Sequence, residues 1–260
     1  MAVFAGQGDA GRSMRLLWRG PGGGSGSGLS VDVIVDAAVE VADRDGMAAL
    51  SMRAVGERLG RSAMALYTYV PSKAELLDLM YDRVLGELPT EYSLEGGWRP
   101  ALRAWAEDAR AFFLAHPWVL QVSQARPVLG PNEFAMLEAL VRILWSTGLR
   151  SSVLRGVVGA VVQFVRGAAG VIAESRRAAR ETGMTDEEWW FARVGVFEEV
   201  APDFAERFPL SAVIGAEEPP AVEGDECVPY LERDAVRNFV TGLDVLLDGV
   251  EAAVAREGGG

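Results

Sequence analysis

The stretch LGRSAMALYTYVPSKAELL, residues 59–77, contains the boundaries of two short helices. Gly60 is a typical stop for the helix that precedes it, and Pro71 stops the segment that follows. Arg61 and Ser62 form the turn between them. Two short helices joined by a glycine-containing turn of about three or four residues predict a helix-turn-helix. Any small helical hairpin would give the same pattern, so that alternative stays open.

The second of these short helices, within residues 63–70, has one apolar side. Leu66 and Val70 are four residues apart and are expected to pack inward. The residues on the other side are small or slender, which would let the helix enter a DNA major groove about 12 Å wide. These outward residues are Ala63, Met64 and Thr68.

Lys73 is the only lysine among 25 basic residues. Ser72 and Glu75 form a Ser-x-x-Glu capping box, which predicts that a helix begins at Lys73. A cation in the first turn loses about 0.3–1 kcal/mol to the helix dipole, unless an external phosphate binds at the same place. The hydroxyls of Tyr67 and Tyr69 would add donors to such a phosphate. The alternatives are a solvated lysine without a role and tyrosines that only cover the domain core.

The net charge of −12 argues against indiscriminate DNA binding, because phosphate neutralisation supplies most of that affinity. Residues 51–73, however, carry four cations and one acid, whereas acids predominate in the second half of the chain. An acidic body with a small basic face is typical of a protein that must not coat DNA. Double-stranded DNA is therefore a possible partner in spite of the overall charge.

The ends and the composition exclude several other classes. No uninterrupted apolar run reaches the roughly 18 residues that span a bilayer, and no secretory signal is recognisable, so we expect a cytoplasmic protein without a membrane partner. One cysteine supports neither an internal disulfide nor a structural zinc site, and we expect no metal and no cofactor. Residues 1–28 are rich in glycine and predict a flexible arm, whose Arg12, Arg15 and Arg19 either reach DNA or belong to a disordered tail. The GQGDAG stretch at 6–11 resembles a dinucleotide-binding loop, but we interpret it as a chance match because no crossover helix and second strand follow.

Together these features resemble the DNA-binding domain of the TetR family of bacterial transcriptional regulators. The motifs are IVDAAVEVADRDGMAALSMRAVGERLG and SAMALYTYVPSKAELLDLMYD, which cover about residues 30–85. The resemblance implies that Tyr67 and Lys73 hold phosphates, that Tyr69 contacts the backbone, and that Arg53 is a basic contact early in the second helix. The full set of expected DNA-binding residues is Arg53, Arg61, Ser62, Ala63, Met64, Tyr67, Thr68, Tyr69 and Lys73.

The rest of the chain more loosely resembles the ligand-binding and dimerising domain of tetracycline repressors, through HPWVLQVSQARPVLGPNEFAMLEALVRIL and FVTGLDVLLDGVEA. Those repressors hold their drug through a magnesium ion bound by a histidine near the position of Val122. Here the single histidine is His116, so a magnesium–tetracycline effector is not expected.

Helical periods and caps in the larger domain predict an all-α fold with five more helices, over residues 98–115, 132–147, 151–181, 185–199 and 230–256. The segment 151–172 is apolar nearly all round, which indicates burial on more than one side. A monomer could bury it internally, but the resemblance implies a four-helix interface with a second copy. The expected interface residues are Val157, Val161, Phe239, Leu243, Leu246, Leu247 and Val250.

Aromatic side chains in the other helices are usually core, yet nearby polar groups are what a ligand pocket needs. The candidate pocket residues are Arg103, Trp105, Phe112, Gln121, Trp145, Gln163 and Phe164.

The sequence therefore predicts an arm over 1–28, a helix-turn-helix DNA-binding domain over 29–75, and a larger helical domain for ligand binding and dimerisation over 76–260. The function expected from these domains is that of a homodimeric repressor, released from a palindromic operator by an unknown small-molecule effector. A DNA-binding activator and a helical enzyme acting through acidic residues are the alternatives. No nucleophile elbow, Walker loop or helical metal motif supports the enzyme.

Overall fold

The computed structural model describes residues 3–20, 28–216 and 229–258. The all-α fold is confirmed, since the only strands among these residues are two-residue segments, β1 (Val3–Phe4) and β2 (Val122–Ser123), which pair in parallel. A 3₁₀ turn, Pro117–Gln121, precedes β2. The described helices are α1 (Ala10–Leu17), α2 (Val31–Asp45), α3 (Met52–Leu59), α4 (Ala63–Tyr67), α5 (Lys73–Leu85), α6 (Trp98–Ala115), α7 (Pro131–Trp145), α8 (Ser151–Thr182), α9 (Asp186–Val200), α10 (Phe204–Arg207), α11 (Pro209–Ala216) and α12 (Tyr230–Gly258).

Serine caps start the helices of the first domain. The side chains of Ser30, Ser51, Ser62 and Ser72 accept backbone N–H groups at the beginnings of α2, α3, α4 and α5. Each cap satisfies a donor that the helix itself leaves unpaired. Gly60 ends α3 with a φ of 63°, in the left-handed region that favours glycine. The boundaries predicted from residues 59–77 are confirmed.

The core of this domain is formed by the apolar sides of α2 to α5. Ile34, Val55, Leu66 and Val70 are buried, as the sequence predicts for the last two. Gly56 allows the close approach of α3 to the turn before α4, because a Cβ there would lie 2.6 Å from the carbonyl oxygen of Arg61. This requirement was not recognised in the sequence.

Replacing Gly56 with alanine is expected to lower the free energy of unfolding by about 2 kcal/mol, because the added methyl group meets rigid backbone. Thermal unfolding followed by circular dichroism measures the loss. Gly195→Ala is the matched control, since a Cβ at that helical glycine meets nothing within 4 Å. An unchanged melting temperature in Gly56→Ala would show that α3 and α4 can separate without cost.

The prediction of a flexible arm over residues 1–28 is wrong for residues 3–20. These residues form β1 and α1, and α1 packs on α5. Leu17 and Ser13 are buried, and the Ser13 hydroxyl donates to Asp78 Oδ2 at 2.9 Å. Composition predicted an arm because glycine is frequent there, whereas the segment is held by hydrogen bonds and by buried apolar side chains that contact distant parts of the chain. Residues 21–27 lie outside the described part of the chain.

The GQGDAG loop forms hydrogen bonds within the protein, and these contacts give no support to dinucleotide binding. The Gly6 N–H donates to Asp78 Oδ1 at 2.8 Å, and the Asp9 N–H donates to Glu75 Oε1 at 3.2 Å. The acceptors of these loop amides are therefore the protein's own carboxylates.

The chain divides into two compact units, Met1–Gly170 with Leu243–Gly260 and Val171–Gly242. In the second unit, Ser175 donates to Asp186 at 2.9 Å, and the guanidinium of Arg176 pairs with Glu232 at 2.7 Å. The predicted capping box of Thr185 and Glu188 begins α9. The five helices predicted for the larger domain are all present, as α6, α7, α8, α9 and α12.

Helix α8 corrects the expectation that no segment could span a bilayer. It is long and apolar enough by length and composition alone, with a mean hydropathy of 1.7 over its best window. The sequence interpretation counted uninterrupted apolar runs, and the glycines and few polar residues of α8 break those runs. The helix nevertheless packs in the protein, since Val161 and Val165 are fully buried.

The predicted interface residues are mostly core, which corrects the interface prediction. Five of the seven are buried within the single chain, and only Val157 and Leu246 are partly exposed. The predicted residues do form an apolar stripe, but that stripe faces the core of the same chain. A helix that is apolar all round has another apolar side that can face a second copy. The five buried residues are Val161, Phe239, Leu243, Leu247 and Val250.

Candidate functional site

The outer surface of α4 is exposed. Met64 is 75% exposed, and Thr68 and the two tyrosines Tyr67 and Tyr69 are exposed as well. Ala63 is partly covered at the beginning of the helix. The face predicted to meet DNA is therefore free in this chain, whereas Leu66 holds α4 on the core.

Basic side chains flank that face. Arg61 and Ser62 are exposed in the turn, and the side chain of Arg53 on α3 is 85% exposed. Arg53 pairs with Glu57 at 2.8 Å, one turn further along α3. An exposed pair of this kind is weak, at about 0.3–0.5 kcal/mol, so a phosphate can compete for the guanidinium.

Lys73 lies at the junction of two helix beginnings. It occupies the first position of α5, and its Nζ donates to the carbonyl oxygen of Leu50 at 2.6 Å. Leu50 directly precedes Ser51, the cap of α3. The contact holds the ammonium beside the positive ends of two helix dipoles, where an external anion would be favoured.

His116 joins the DNA-binding helices to the rest of the first unit. Its Nδ1 is 2.9 Å from Asp43 Oδ1 near the end of α2, and its Nε2 is 3.0 Å from Glu87 Oε2 just after α5. Trp118 also donates to Asp43, at 2.8 Å. Burial would lower the pKa of His116, but the hydrogen bonds and charges of Asp43 and Glu87 outweigh it and raise the pKa. The sequence analysis used His116 only to argue against a magnesium–tetracycline effector and did not predict this contact.

The contacts of His116 with Asp43 and Glu87 are expected to stabilise the protein mainly at acidic pH. A raised folded-state pKa gives stability that is fully present below about pH 6.5 and is lost as the pH rises through the folded-state value. Replacing His116 with glutamine should therefore cost about 2 kcal/mol near pH 6 and less near pH 9. Melting temperatures of both proteins across this range measure the difference, and no other histidine titrates in the chain. A cost that is independent of pH would contradict a charged contact.

A cavity of about 300 Å³ opens in the first unit beside β2 and α7. Apolar side chains form most of its wall, and the polar groups come from Tyr81, Ser123, Gln124, Arg126 and Glu133. Burial raises the pKa of Tyr81 and of Glu133. An apolar cavity with a few fixed polar groups is the usual form of a small-molecule site. The apolar lining residues are Ala5, Val122, Pro127, Val128, Leu129, Phe134, Met136, Leu137 and Val162.

The seven predicted pocket residues do not line this cavity. Arg103 instead forms an ion pair with Asp244 on α12, and Trp145 is 65% exposed. Trp105 and Phe112 are buried in the core, and Gln121 and Phe164 are partly exposed elsewhere. Gln163 contacts a lining residue, since its Nε2 lies 3.5 Å from Oε1 of Gln124.

Sequence reasoning missed the cavity because its wall is formed by the irregular segment 122–129 and one side of α7. Nothing periodic marks such a loop. The one available signal was the position of Val122, which the family resemblance had already connected with ligand binding.

Comparison with known families decides the identity. Residues 34–80 match the model described as "Bacterial regulatory proteins, tetR family", and residues 90–254 match "Tetracyclin repressor-like, C-terminal domain". The chain belongs to the TetR family. It is a helix-turn-helix transcriptional regulator, and the alternative of a helical enzyme is rejected because the matching families and relatives are regulators.

Individual TetR-family relatives agree with this assignment. The HTH-type transcriptional repressor DrrR1 of Streptomyces coeruleorubidus is 38% identical over 260 residues, which cover 98% of this chain and 90% of the relative. ActR of Streptomyces coelicolor in complex with actinorhodin is 26% identical, with a TM-score of 0.67 over 88% of this chain and 99% of that chain. Apo ActR, at 24% identity and a TM-score of 0.66 over 90% of this chain and all of that one, shows the same fold.

Proposed function

We propose that this TetR-family regulator is a homodimeric repressor that binds a palindromic operator and leaves it when a small molecule enters the subunit. The observation that carries the proposal is the exposed face of α4, with Tyr67 and Tyr69 beside it and Lys73 fixed at the start of α5. Helix α4 would enter the major groove, and the flanking groups would hold the phosphates. A protein that works on DNA in a bacterium acts in the cytoplasm.

The residues around α4 divide into two roles. Met64 and Thr68 protrude from the helix and would read base edges, together with Ala63 at its beginning. Arg53, Arg61, Ser62, Tyr67, Tyr69 and Lys73 would contact the sugar-phosphate backbone and fix the register.

A second copy of the chain would cover exposed small and apolar residues of α8 and α12 in the first unit. On α12 these residues include Val245, which is 66% exposed, with Gly249 and Ala252 at helical spacing. On α8 they are mainly small residues from Gly156 to Gly167, and only 22% of the most apolar window of the helix is buried. Long apolar helices of a single subunit are rarely left in water, and small residues allow close helix packing. We name Gly156, Gly159, Ala160, Gly167, Val245, Gly249 and Ala252 the outer face.

The cavity beside β2 is the proposed effector site. The relative DrrR1 is a repressor, and the 26% identical ActR was solved with actinorhodin, which supports a repressor with a small-molecule effector here. Occupation of the cavity would favour a subunit arrangement whose α4 helices no longer match successive grooves, so that DNA is released by population shift. An activator would use the same geometry, and a reporter gene controlled by the selected operator separates the two.

Selection of bound fragments from random double-stranded DNA tests the proposal. We expect an inverted repeat whose half-site centres lie about 34–36 Å apart, or a multiple of that, on one face of the duplex. The symmetry of the repeat reports the dimer, and its spacing reports the distance between the two α4 helices. No enrichment even in dilute salt, or enrichment of a single half-site, would reject the proposed function.

A further inference from the structure

The N-terminal segment Val3–Trp18 lies against the wall of the cavity at both of its ends. At the first end, β1 pairs with β2 so that Val3 is opposite Val122 and Phe4 is opposite Ser123. The next residue, Ala5, is 2% exposed and forms part of the cavity wall. Part of the proposed effector site is therefore supplied by the N-terminal segment.

The second end contacts two other residues of the cavity wall. The indole Nε1 of Trp18 donates to the carbonyl oxygen of Leu129 at 2.9 Å, and its ring lies 6.2 Å from that of Phe134. Both contacted residues line the cavity.

The backbone at this part of the cavity rim is strained. Leu129 has a φ of 62°, in a region that L residues other than asparagine and aspartate rarely adopt. Its N–H donates to Glu133 at 2.6 Å while its carbonyl accepts from Trp18. Strain of this kind persists only where neighbouring contacts hold it, so Trp18 helps to fix the rim.

The middle of the segment is tied to α5 through buried carboxylates. Asp78 accepts from the Gly6 N–H and the Ser13 hydroxyl, and Glu75 accepts from the Asp9 N–H. A Cβ at Gly8 would lie 2.7 Å from Cδ of Glu75, so the loop and the helix are in close contact. Glu75 is in the first turn of α5, two residues after Lys73.

We propose that Val3–Trp18 is a lid of the cavity, which controls entry of the effector and connects the cavity rim to the first turn of α5. The inference rests on the proposed effector site, and adds the element that closes it. A ligand can reach the cavity through this side only when the strand pairing of β1 or the Trp18 contact opens. The residues that touch the lid therefore act on the rate of ligand entry and exit.

A reversible tether tests the lid within one protein. Phe4→Cys with Ser123→Cys joins the paired strands, whose backbones lie about 4.8 Å apart, within the range that a disulfide bridges. Cys227→Ser removes the natural thiol, which lies outside the described residues. The probe is 1-anilinonaphthalene-8-sulfonate, an aromatic anion whose fluorescence rises on entering an apolar site, followed by stopped flow.

Oxidation of the tethered protein should slow association of the probe at least tenfold, and a reducing agent should restore the rate. Trp18→Ala should raise both the association and the dissociation rate at least fivefold. Arg15→Ala is the matched control on the exposed side of α1 and should leave both rates unchanged. Equal association rates of the probe in the oxidised and the reduced tethered protein would overturn the lid proposal.

A cavity-filling variant, Val162→Trp, separates failure of the lid from failure of the effector site. If the variant abolishes the probe signal while the tether changes no rate, the site stands and the lid is rejected. If the signal survives in Val162→Trp, the probe does not bind in this cavity, and both the proposed site and its lid are rejected. Unfolding curves of each variant confirm that the fold is retained.

Discussion

Replacing Val245 with arginine is expected to convert the protein from dimer to monomer and to lower its affinity for the full operator at least about 100-fold. Val245 is the largest apolar side chain of the outer face, and an arginine there would place a charge in a desolvated interface. Two linked DNA-binding units gain a factor of about 10² to 10⁴ from their effective concentration, and a monomer loses that gain. Analytical ultracentrifugation and operator titration measure the two effects.

The control for Val245→Arg is Leu94→Arg, which adds the same charge at an exposed leucine outside the outer face. It should remain dimeric and should bind the operator with nearly unchanged affinity. Binding of the isolated half-site should be similar in all three proteins, because the face of α4 is not altered. A dimeric Val245→Arg protein would place the subunit interface elsewhere.

Replacing Lys73 with alanine is expected to weaken binding to every duplex by roughly 30-fold in dilute salt, which corresponds to about 1 kcal/mol for each of two subunits. The loss should be independent of sequence, because a phosphate contact carries no base information. The slope of log affinity against log salt concentration should decrease by about one for each subunit. Fluorescence anisotropy with operator and random DNA over a range of salt concentrations measures both quantities.

Two controls separate the phosphate contact from the hydrogen bond between Lys73 and Leu50. Lys73→Arg keeps the cation and should keep most of the salt slope, whereas Arg207→Ala removes an exposed cation from α10 and should change neither affinity nor slope. The melting temperature of Lys73→Ala shows whether the lost contact to Leu50 disturbs the fold. An unaltered salt slope in a folded Lys73→Ala protein would show that this ammonium is only solvated.

The DNA-binding domain could be predicted in detail because its signals are local. Ser72 with Glu75 fixes the start of α5, and Gly60 and Pro71 bound the short helix between them. The inward side of α4 followed from the spacing of Leu66 and Val70, both fully buried. The roles on DNA remain predictions, because no contact within one chain can test them.

In the larger domain the sequence predicted the helices, but it did not predict which side of each helix is buried. Helix α12 carries apolar residues on more than one side, and periodicity cannot say which side another part of the chain covers. Leu243 and Leu247 are core, whereas Val245 between them faces outward. The cavity was missed for a related reason, since its wall joins segments far apart in sequence, from Ala5 to Val162.

The amino-acid sequence by itself determined the main helices from α2 onward, their caps and the helix-turn-helix, because each of these depends on neighbours within a few residues, but it did not predict α1. Only the tertiary structure decided which apolar faces are buried, where the cavity lies, and that the glycine-rich N-terminus is held by Glu75 and Asp78. These features depend on which distant groups meet after folding. The N-terminal segment is ordered by contacts with distant residues, which include the hydrogen bonds to Glu75 and Asp78, the burial of Ala5 and Leu17 and the pairing of β1 with β2.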